Sequence, residues 1–261
     1  MPIINVNDIN IYHEVHGEGF PLVMIMGQSG NVDWWDPSLI DILSKNFKTI
    51  IFDNRGVGQT NDMDEDYTFK TLADDTIGLM DALNIKQAHV FGLSMGGQIA
   101  QEIAISYPNR VKKLILCSTM CGGYQAVIPS REVIEKVLKG VSDPEEIASL
   151  VFTKKFIENN PIELEKIIQI VKKTPISRES ALRQDKAGKR FKSFKRLKMI
   201  KNTTLIMHGK KDILVVPENG ELLENSIPNA KLVYFKHSAH SIYAEEPELF
   251  IKILLEFLKE I

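Results

Sequence analysis

Cysteine is almost absent. The 261 residues hold two, Cys117 and Cys121. That is too few for a disulfide framework, and a lone C-x-x-x-C lacks the second half of a zinc site, so both are expected to be reduced structural thiols. Long apolar runs are missing too: none approaches the roughly 18 residues needed to cross a bilayer. The first residues carry no basic stretch followed by an apolar one, so no signal peptide and no membrane span are expected, and a cytoplasmic location is inferred from those absences. Neither sign of charge dominates. A formal net charge of -2 gives no reason to expect nucleic acid or an anionic membrane as partner. Repeats and low-complexity tracts are also lacking. What remains is an ordinary globular composition, 44% hydrophobic and 25% charged. The length suits one α/β domain with an insertion better than two equal domains.

Short apolar runs bounded by glycine or turn residues recur along the chain. They are Leu22–Met26 before Gly27, Thr49–Phe52 before Asp53, His89–Leu93, Leu114–Cys117, Leu205–Met207 and Leu232–Phe235. Continuous runs of this kind are expected to form buried strands. Two more β-rich stretches, Ile3–Val6 and Ile9–Val15, open the chain. Helical periods fill the intervals, through Leu72, Ile77, Met80 and Leu83, then Gln98–Tyr107 closed by Pro108, and last Phe250, Ile253, Leu254 and Phe257. Strands alternating with helices predict an α/β fold: a mostly parallel sheet with helices on both faces. Residues 124–200 carry helical periods and no strand-like run. They are expected to be a helical insertion between two strands of the sheet.

Gly92-Leu93-Ser94-Met95-Gly96 fits G-x-S-x-G, with a predicted buried strand before it and a helix after it. A serine on such a tight strand-to-helix turn holds its hydroxyl clear of the sheet. Glycines two residues away avoid collision, and the helix N-terminus aims N–H groups at any negative charge formed there. The pattern alone also fits a glycine-rich turn with a solvent-facing serine. A phosphate loop is excluded, because no G-K-[ST] follows. The position between strand and helix selects the nucleophile reading for Ser94.

A serine hydroxyl needs a base, and the base needs a carboxylate to orient it. Asp212 lies in the loop after Leu205–Met207, and His240 in the loop after Leu232–Phe235. Alone, Asp212 reads equally as a turn or cap residue, and His240 as an ordinary loop histidine. Together they complete the order Ser, Asp, His, each member at the carboxyl end of a strand, where open α/β sheets bind ligands. His237 is the one serious rival to His240. His13, His16, His89 and His208 lie in or beside strands and are expected to be structural.

With these residues in place, the chain resembles the α/β-hydrolase superfamily over nearly its whole length. The matching segments are Met26-Gly27-Gln28, Asp53-Asn54-Arg55-Gly56-Val57-Gly58-Gln59-Thr60, the Ser94 elbow, Gly209–Asp212, and His240 with Glu245 and Pro247. The resemblance implies an oxyanion hole made by the backbone N–H groups of Gln28 and Met95. It also implies a helical cap over the site, so that residues 1–123 and 201–261 form the core and 124–200 the cap. Three positions depart from the family pattern: Met26 stands in place of a loop-supporting histidine, Thr60 in place of serine, and Ala239 in place of glycine.

Trp34 and Trp35 follow the oxyanion loop and are candidates to wall the substrate pocket, with core packing the competing reading. In the insertion, Val133, Val137, Leu138, Leu150, Phe152 and Phe156 are candidates either to face an acyl pocket or to pack on the core. Its end is basic, with Lys186, Lys189, Arg190, Lys192, Lys195, Arg196, Lys198 and Lys201 around Phe191, Phe194 and Leu197. That spacing predicts an amphipathic helix with a solvated basic face, or else a surface that attracts an anionic substrate. The expected activity is hydrolysis of a small-molecule carboxylic ester, lactone or thioester, with no metal and no organic cofactor. Cofactor-free perhydrolysis, C–C bond hydrolysis and a slow-turnover receptor remain alternatives on the same fold.

Overall fold

Each apolar run becomes a strand of one eight-stranded sheet, and all but the last, which forms an edge, lie inside it. The computed structural model describes residues 3–140, 144–173 and 176–259, without the side chains of 138–140 and 144. The strands are β1 (Ile3–Val6), β2 (Ile9–His16), β3 (Phe20–Ile25), β4 (Phe47–Phe52), β5 (Ala88–Leu93), β6 (Val111–Cys117), β7 (Thr203–Gly209) and β8 (Ala230–Phe235). Their spatial order is β1-β2-β4-β3-β5-β6-β7-β8. β2 runs antiparallel to β1 and to β4; every other pair is parallel. The mostly parallel α/β sheet expected from the alternation of elements is therefore present.

Side chains alternate between two core layers, as the pleat requires. Val23, Ile25, Val90, Leu114 and Leu116 face one layer, with Leu72, Met80, Ile99 and Ile103 from helices α2 (Phe69–Ala82) and α3 (Met95–Ser106). Here α1 denotes Pro37–Ser44, α9 and α10 are Glu218–Ser226 and Ile242–Glu245, and α11 is the terminal helix Pro247–Lys259. Leu22, Met24, Phe91, Leu93 and Ile115 face the other layer, with Leu39 and Leu43 from α1 and Phe250 and Leu254 from α11. Phe91 sits between Trp35 and Phe250, at ring-centroid distances of 5.8 and 6.1 Å. Truncating a ring so enclosed costs about 3–5 kcal/mol.

Local chemistry starts the helices where the chain needs them. Asp36 caps α1 by accepting from the Ser38 N–H, with Pro37 at the first position, and Thr68 and Thr71 form a reciprocal capping box on α2.

Between β6 and β7 the described residues form helices α4 (Arg131–Gly140), α5 (Pro144–Val151), α6 (Lys154–Asn159), α7 (Pro161–Lys173) and α8 (Arg178–Arg190). Val133, Leu150 and Phe152 are buried, and Phe152 stacks on Phe156 at 4.8 Å. The side chain of Leu138 lies outside the described residues.

The basic end of this stretch differs from the single amphipathic helix expected. α8 stops at Arg190 and a 3₁₀ turn, Phe194–Met199, follows. The helix ends because Phe191 turns inward onto Phe69, 5.1 Å away, while the buried Ser193 hydroxyl bridges the Gly122 N–H and Gln101 Oε1. Much of the positive charge is answered by acids distant in sequence. Lys186 and Arg190 pair with Asp66 and Arg196 with Glu102, while Lys189 pairs with Asp185 within its own helix. Among the described residues no helix is long and apolar enough to cross a membrane.

Candidate functional site

Three of the parallel strands end at one edge of the sheet, and each delivers a predicted reactive side chain there. Ser94 follows β5 directly. Its φ of 54° and ψ of -119° lie in a region unfavourable for a residue with a Cβ. The turn that imposes them is held on all sides. The Ser94 N–H donates to the Cys117 carbonyl at 2.9 Å, and the Ser94 carbonyl accepts from the Gly97 N–H at 2.9 Å and from Thr119 Oγ1 at 2.6 Å. Both glycines of the motif are required by close approach. A Cβ at Gly92 would lie 2.3 Å from the Gly96 oxygen, and one at Gly96 would lie 2.1 Å from the Ile25 oxygen.

Asp212 lies in the loop after β7 and is 2% exposed. Its Oδ1 accepts from the N–H groups of Leu214 and Val215, each at 2.9 Å. Its Oδ2 accepts from His240 Nδ1 at 2.7 Å. Burial favours the neutral acid, but the charge of His240 and hydrogen bonds from His208 and His240 outweigh it and hold the carboxyl at about 2. An ionised carboxylate only accepts, so the His240 proton sits on Nδ1 and the Nε2 lone pair is free to act as base. His208, expected to be structural, is fully buried beside this pair. Its Nε2 donates to the Val215 carbonyl at 2.7 Å and lies 3.5 Å from Asp212 Oδ2. His237 is exposed, with its backbone N–H on Glu246. His89 is at the opposite end of β5, where burial and two nearby lysines hold it at about 4, and so neutral.

Residues beyond the three hold the loops in register. Ser118, at φ 44° and fully buried, donates from Oγ to the His240 carbonyl at 2.8 Å and from N–H to the Met207 carbonyl at 2.8 Å. With Thr119 on the Ser94 carbonyl, one dipeptide after β6 ties the Ser94 turn to the His240 loop. Residues 239 and 241 are fixed from the other side. The Ala239 N–H donates to Glu245 Oε1 at 2.8 Å, while Glu245 Oε2 accepts from Thr153 Oγ1 at 2.5 Å. The Ser241 N–H donates to the Val151 carbonyl at 3.0 Å. The α5–α6 junction therefore grips the histidine loop at both neighbours of His240. No sequence pattern marks Ser118 or Thr119, because their partners lie on other strands. Glu245 stood in the family motif without a role.

Gly27–Gly30 forms a β-turn beside Ser94. The Gly30 N–H returns to the Gly27 carbonyl at 3.3 Å, Ser29 has φ 65°, and a Cβ on Gly27 would lie 3.2 Å from Ser94 Cβ. Asp53 braces the turn's end by accepting from the Val32 and Gln59 N–H groups, both at 2.8 Å, and Asn54 Nδ2 donates to the Met26 carbonyl at 3.3 Å. Gln184 Oε1, on α8, accepts from the Ser29 N–H at 2.8 Å. The Met95 N–H opens α3 and has no intrahelical acceptor. The two tryptophans part company. Trp35 is 2% exposed and belongs to the core beneath the sheet, between Phe91 and Tyr243. It is not a pocket wall, because its loop turns the indole under the sheet edge. Trp34 is half-buried and backs the Gly27–Gly30 turn, with its ring 3.0 Å from where a Cβ on Gly30 would stand. Among the described residues no group of three or more His, Cys, Asp or Glu is disposed to hold a metal ion.

Comparison with known proteins agrees with this architecture. The model of the α/β-hydrolase fold family matches residues 21–152. The chain is 28% identical, over 100% of its own length and 99% of the other, to a protein of Azorhizobium caulinodans provisionally named the carbamate hydrolase RutD. Among solved structures, the enol-lactonase of Burkholderia xenovorans LB400 superposes with a TM-score of 0.87 at 26% identity, over 99% of this chain and 100% of that one. An esterase of Exiguobacterium antarcticum superposes with a TM-score of 0.86 at 25% identity, over 99% of each chain. With the sheet order, the strained Ser94 turn and the matched segment in agreement, the chain belongs to the α/β-hydrolase fold family.

Proposed function

We propose that this hydrolase cleaves a carboxylic ester, lactone or thioester of a small molecule through an acyl-enzyme at Ser94. The observation that carries the reading is the 2.7 Å pairing of His240 Nδ1 with a buried Asp212 carboxylate. Two backbone donors fix the other oxygen of that carboxylate. In the proposed reaction His240 Nε2 takes the Ser94 proton as Oγ attacks the substrate carbonyl. The tetrahedral oxyanion is held by the backbone N–H groups of Gln28 and Met95, where preorganised donors act at most strength. His240 then protonates the departing alkoxide or thiolate and activates the water that releases the acid, and Asp212 stabilises the imidazolium at each stage. In this reading the helices of residues 124–200 form the cap, with their α5–α6 junction bound to the histidine loop.

Kinetics of Ser94→Ala and His240→Ala test the reading. Triad members act as a unit, so each variant is expected to lose about 10⁴-fold or more in kcat with its fold retained. A Ser94→Ala variant near full activity would refute it. A panel of esters, lactones, thioesters and carbamates, run with and without hydrogen peroxide, separates the proposed substrates from carbamate hydrolysis and from perhydrolysis.

A further inference from the structure

The family pattern supports the oxyanion loop with a histidine where this chain has Met26. Met26 is buried there, and its thioether side chain carries no N–H with which to support the loop. We infer that Gln184, from helix α8, is the positioning residue that holds the oxyanion turn in register with Ser94. The inference rests on the proposed assignment of Ser94 as nucleophile and Gln28 as oxyanion donor.

Gln184 is 1% exposed, on the inward face of α8 with Ser180, Ala181 and Ala187. Its Oε1 accepts from the Ser29 N–H at 2.8 Å, across 155 residues of sequence. A backbone N–H can only donate, so this contact fixes which way the amide turns. Nε2 is then left buried and, among the described residues, without a hydrogen-bond partner. The Gln184 carbonyl is thereby committed to the Ser29 N–H. Ser29 has φ 65°, a conformation unfavourable for a residue with a Cβ, and it is the residue next to Gln28. A turn held in that state relaxes when its restraint is removed. Gln28 would then move away from Ser94.

The helix that carries Gln184 is itself anchored. Arg183 Nε pairs with Asp62 at 2.9 Å with both side chains largely buried, and Lys186 pairs with Asp66 at 3.2 Å. The 62–66 segment continues the loop whose Asp53 accepts from Val32, at the far end of the oxyanion turn. The turn is therefore braced at one end from the sheet and in its middle from the insertion. That makes oxyanion stabilisation depend on the seating of α8, although no atom of α8 takes part in the proposed chemistry.

The test uses Gln184→Met, which keeps side-chain length and removes the acceptor, with Gln184→Leu as a second variant should the first fold poorly. Rates on p-nitrophenyl acetate are expressed per Ser94 reactive to a fluorophosphonate, so a misfolded fraction does not count. The expected result is a loss of kcat of about 10-fold to 100-fold, below the ~10²–10³ of deleting an oxyanion donor outright, with KM little changed. The affinity of a trifluoromethyl ketone, whose adduct carries an oxyanion, falls by the same factor. Amide exchange at Ser29 accelerates at least about tenfold as its bond to Oε1 is lost. Unchanged kcat with unchanged Ser29 exchange overturns the inference, and so does a rise in KM alone, which would make Gln184 a substrate contact. Fluorophosphonate labelling away from Ser94 in the parent protein would instead indict the proposed catalytic centre. The Ser29 exchange rate reads the Gln184 contact in either case.

Discussion

Replacing Asp212 by asparagine exchanges one oxygen for an NH₂ group at nearly constant volume, and the surroundings decide which way the amide turns. The Oδ1 position faces two backbone donors, Leu214 N–H and Val215 N–H, both at 2.9 Å. Turning an NH₂ toward them would strand buried donors at about 1–3 kcal/mol each. The asparagine therefore keeps its oxygen there and presents its NH₂ to His240 Nδ1, which lies 2.7 Å from Oδ2 in the parent protein. Nδ1 must then accept, which moves the ring proton to Nε2, the atom that has to receive the proton of Ser94. The negative charge that stabilises the imidazolium is lost in the same exchange. In serine proteases the equivalent change lowers kcat by about 10⁴, or ~5 kcal/mol at 1.36 kcal/mol per tenfold. Steady-state hydrolysis of p-nitrophenyl acetate by Asp212→Asn is expected to show a loss of that order in kcat, with KM little changed. A kcat within about tenfold of the parent would refute the tautomer argument. A thermal series checks the electrostatics independently. The folded-state carboxyl is held at about 2, below its ordinary 3.8. Its stabilising contribution is therefore complete above about pH 5 and is lost as pH falls toward 2. The Tm difference between parent and Asp212→Asn is expected to narrow across that interval; a constant difference would contradict the depressed value.

Two further outcomes follow from charges away from the site. Arg55 is 5% exposed and forms hydrogen bonds with both Asp8 and Asp75, so Arg55→Met leaves the buried Asp75 uncompensated and is expected to cost about 3–5 kcal/mol, read as a lower urea midpoint; a shift under ~1 kcal/mol would show that Asp75 is neutral in the variant. Because Lys186, Arg190 and Arg196 are paired with acids, anionic and neutral esters of equal size are expected to respond alike to salt, and a kcat/KM that falls with salt for the anionic ester alone would restore the steering role of the basic segment.

The sheet, and the placing of Ser94, Asp212 and His240 at one end of it, were legible in the sequence because both are written locally. Buried parallel strands are continuous apolar runs, and Ser94, Asp212 and His240 each follow such a run at the same end. The two opening strands were equally clear, since β2 alternates buried and more exposed side chains along its length. What escaped was set by contacts between distant segments. Trp35 carries no mark of core or pocket; the turn of its loop beneath Phe91 decides. Lys186–Lys201 reads as one basic helix until Asp66, Glu102 and the inward turn of Phe191 are in view. Ser118 and Gln184 are ordinary residues by type, and their partners lie 122 and 155 positions away. Sequence periodicity reports the face a residue occupies. It does not report which loop from elsewhere arrives at that face.

The proposed reaction requires Ser94 to be the covalent nucleophile, activated by His240. Incubation with a fluorophosphonate followed by intact-mass and peptide mass spectrometry tests it most directly. One adduct per chain is expected, located on Ser94, absent from Ser94→Ala and strongly slowed in His240→Ala. An adduct on another residue, or full hydrolytic activity in a protein that takes up no label, would contradict it.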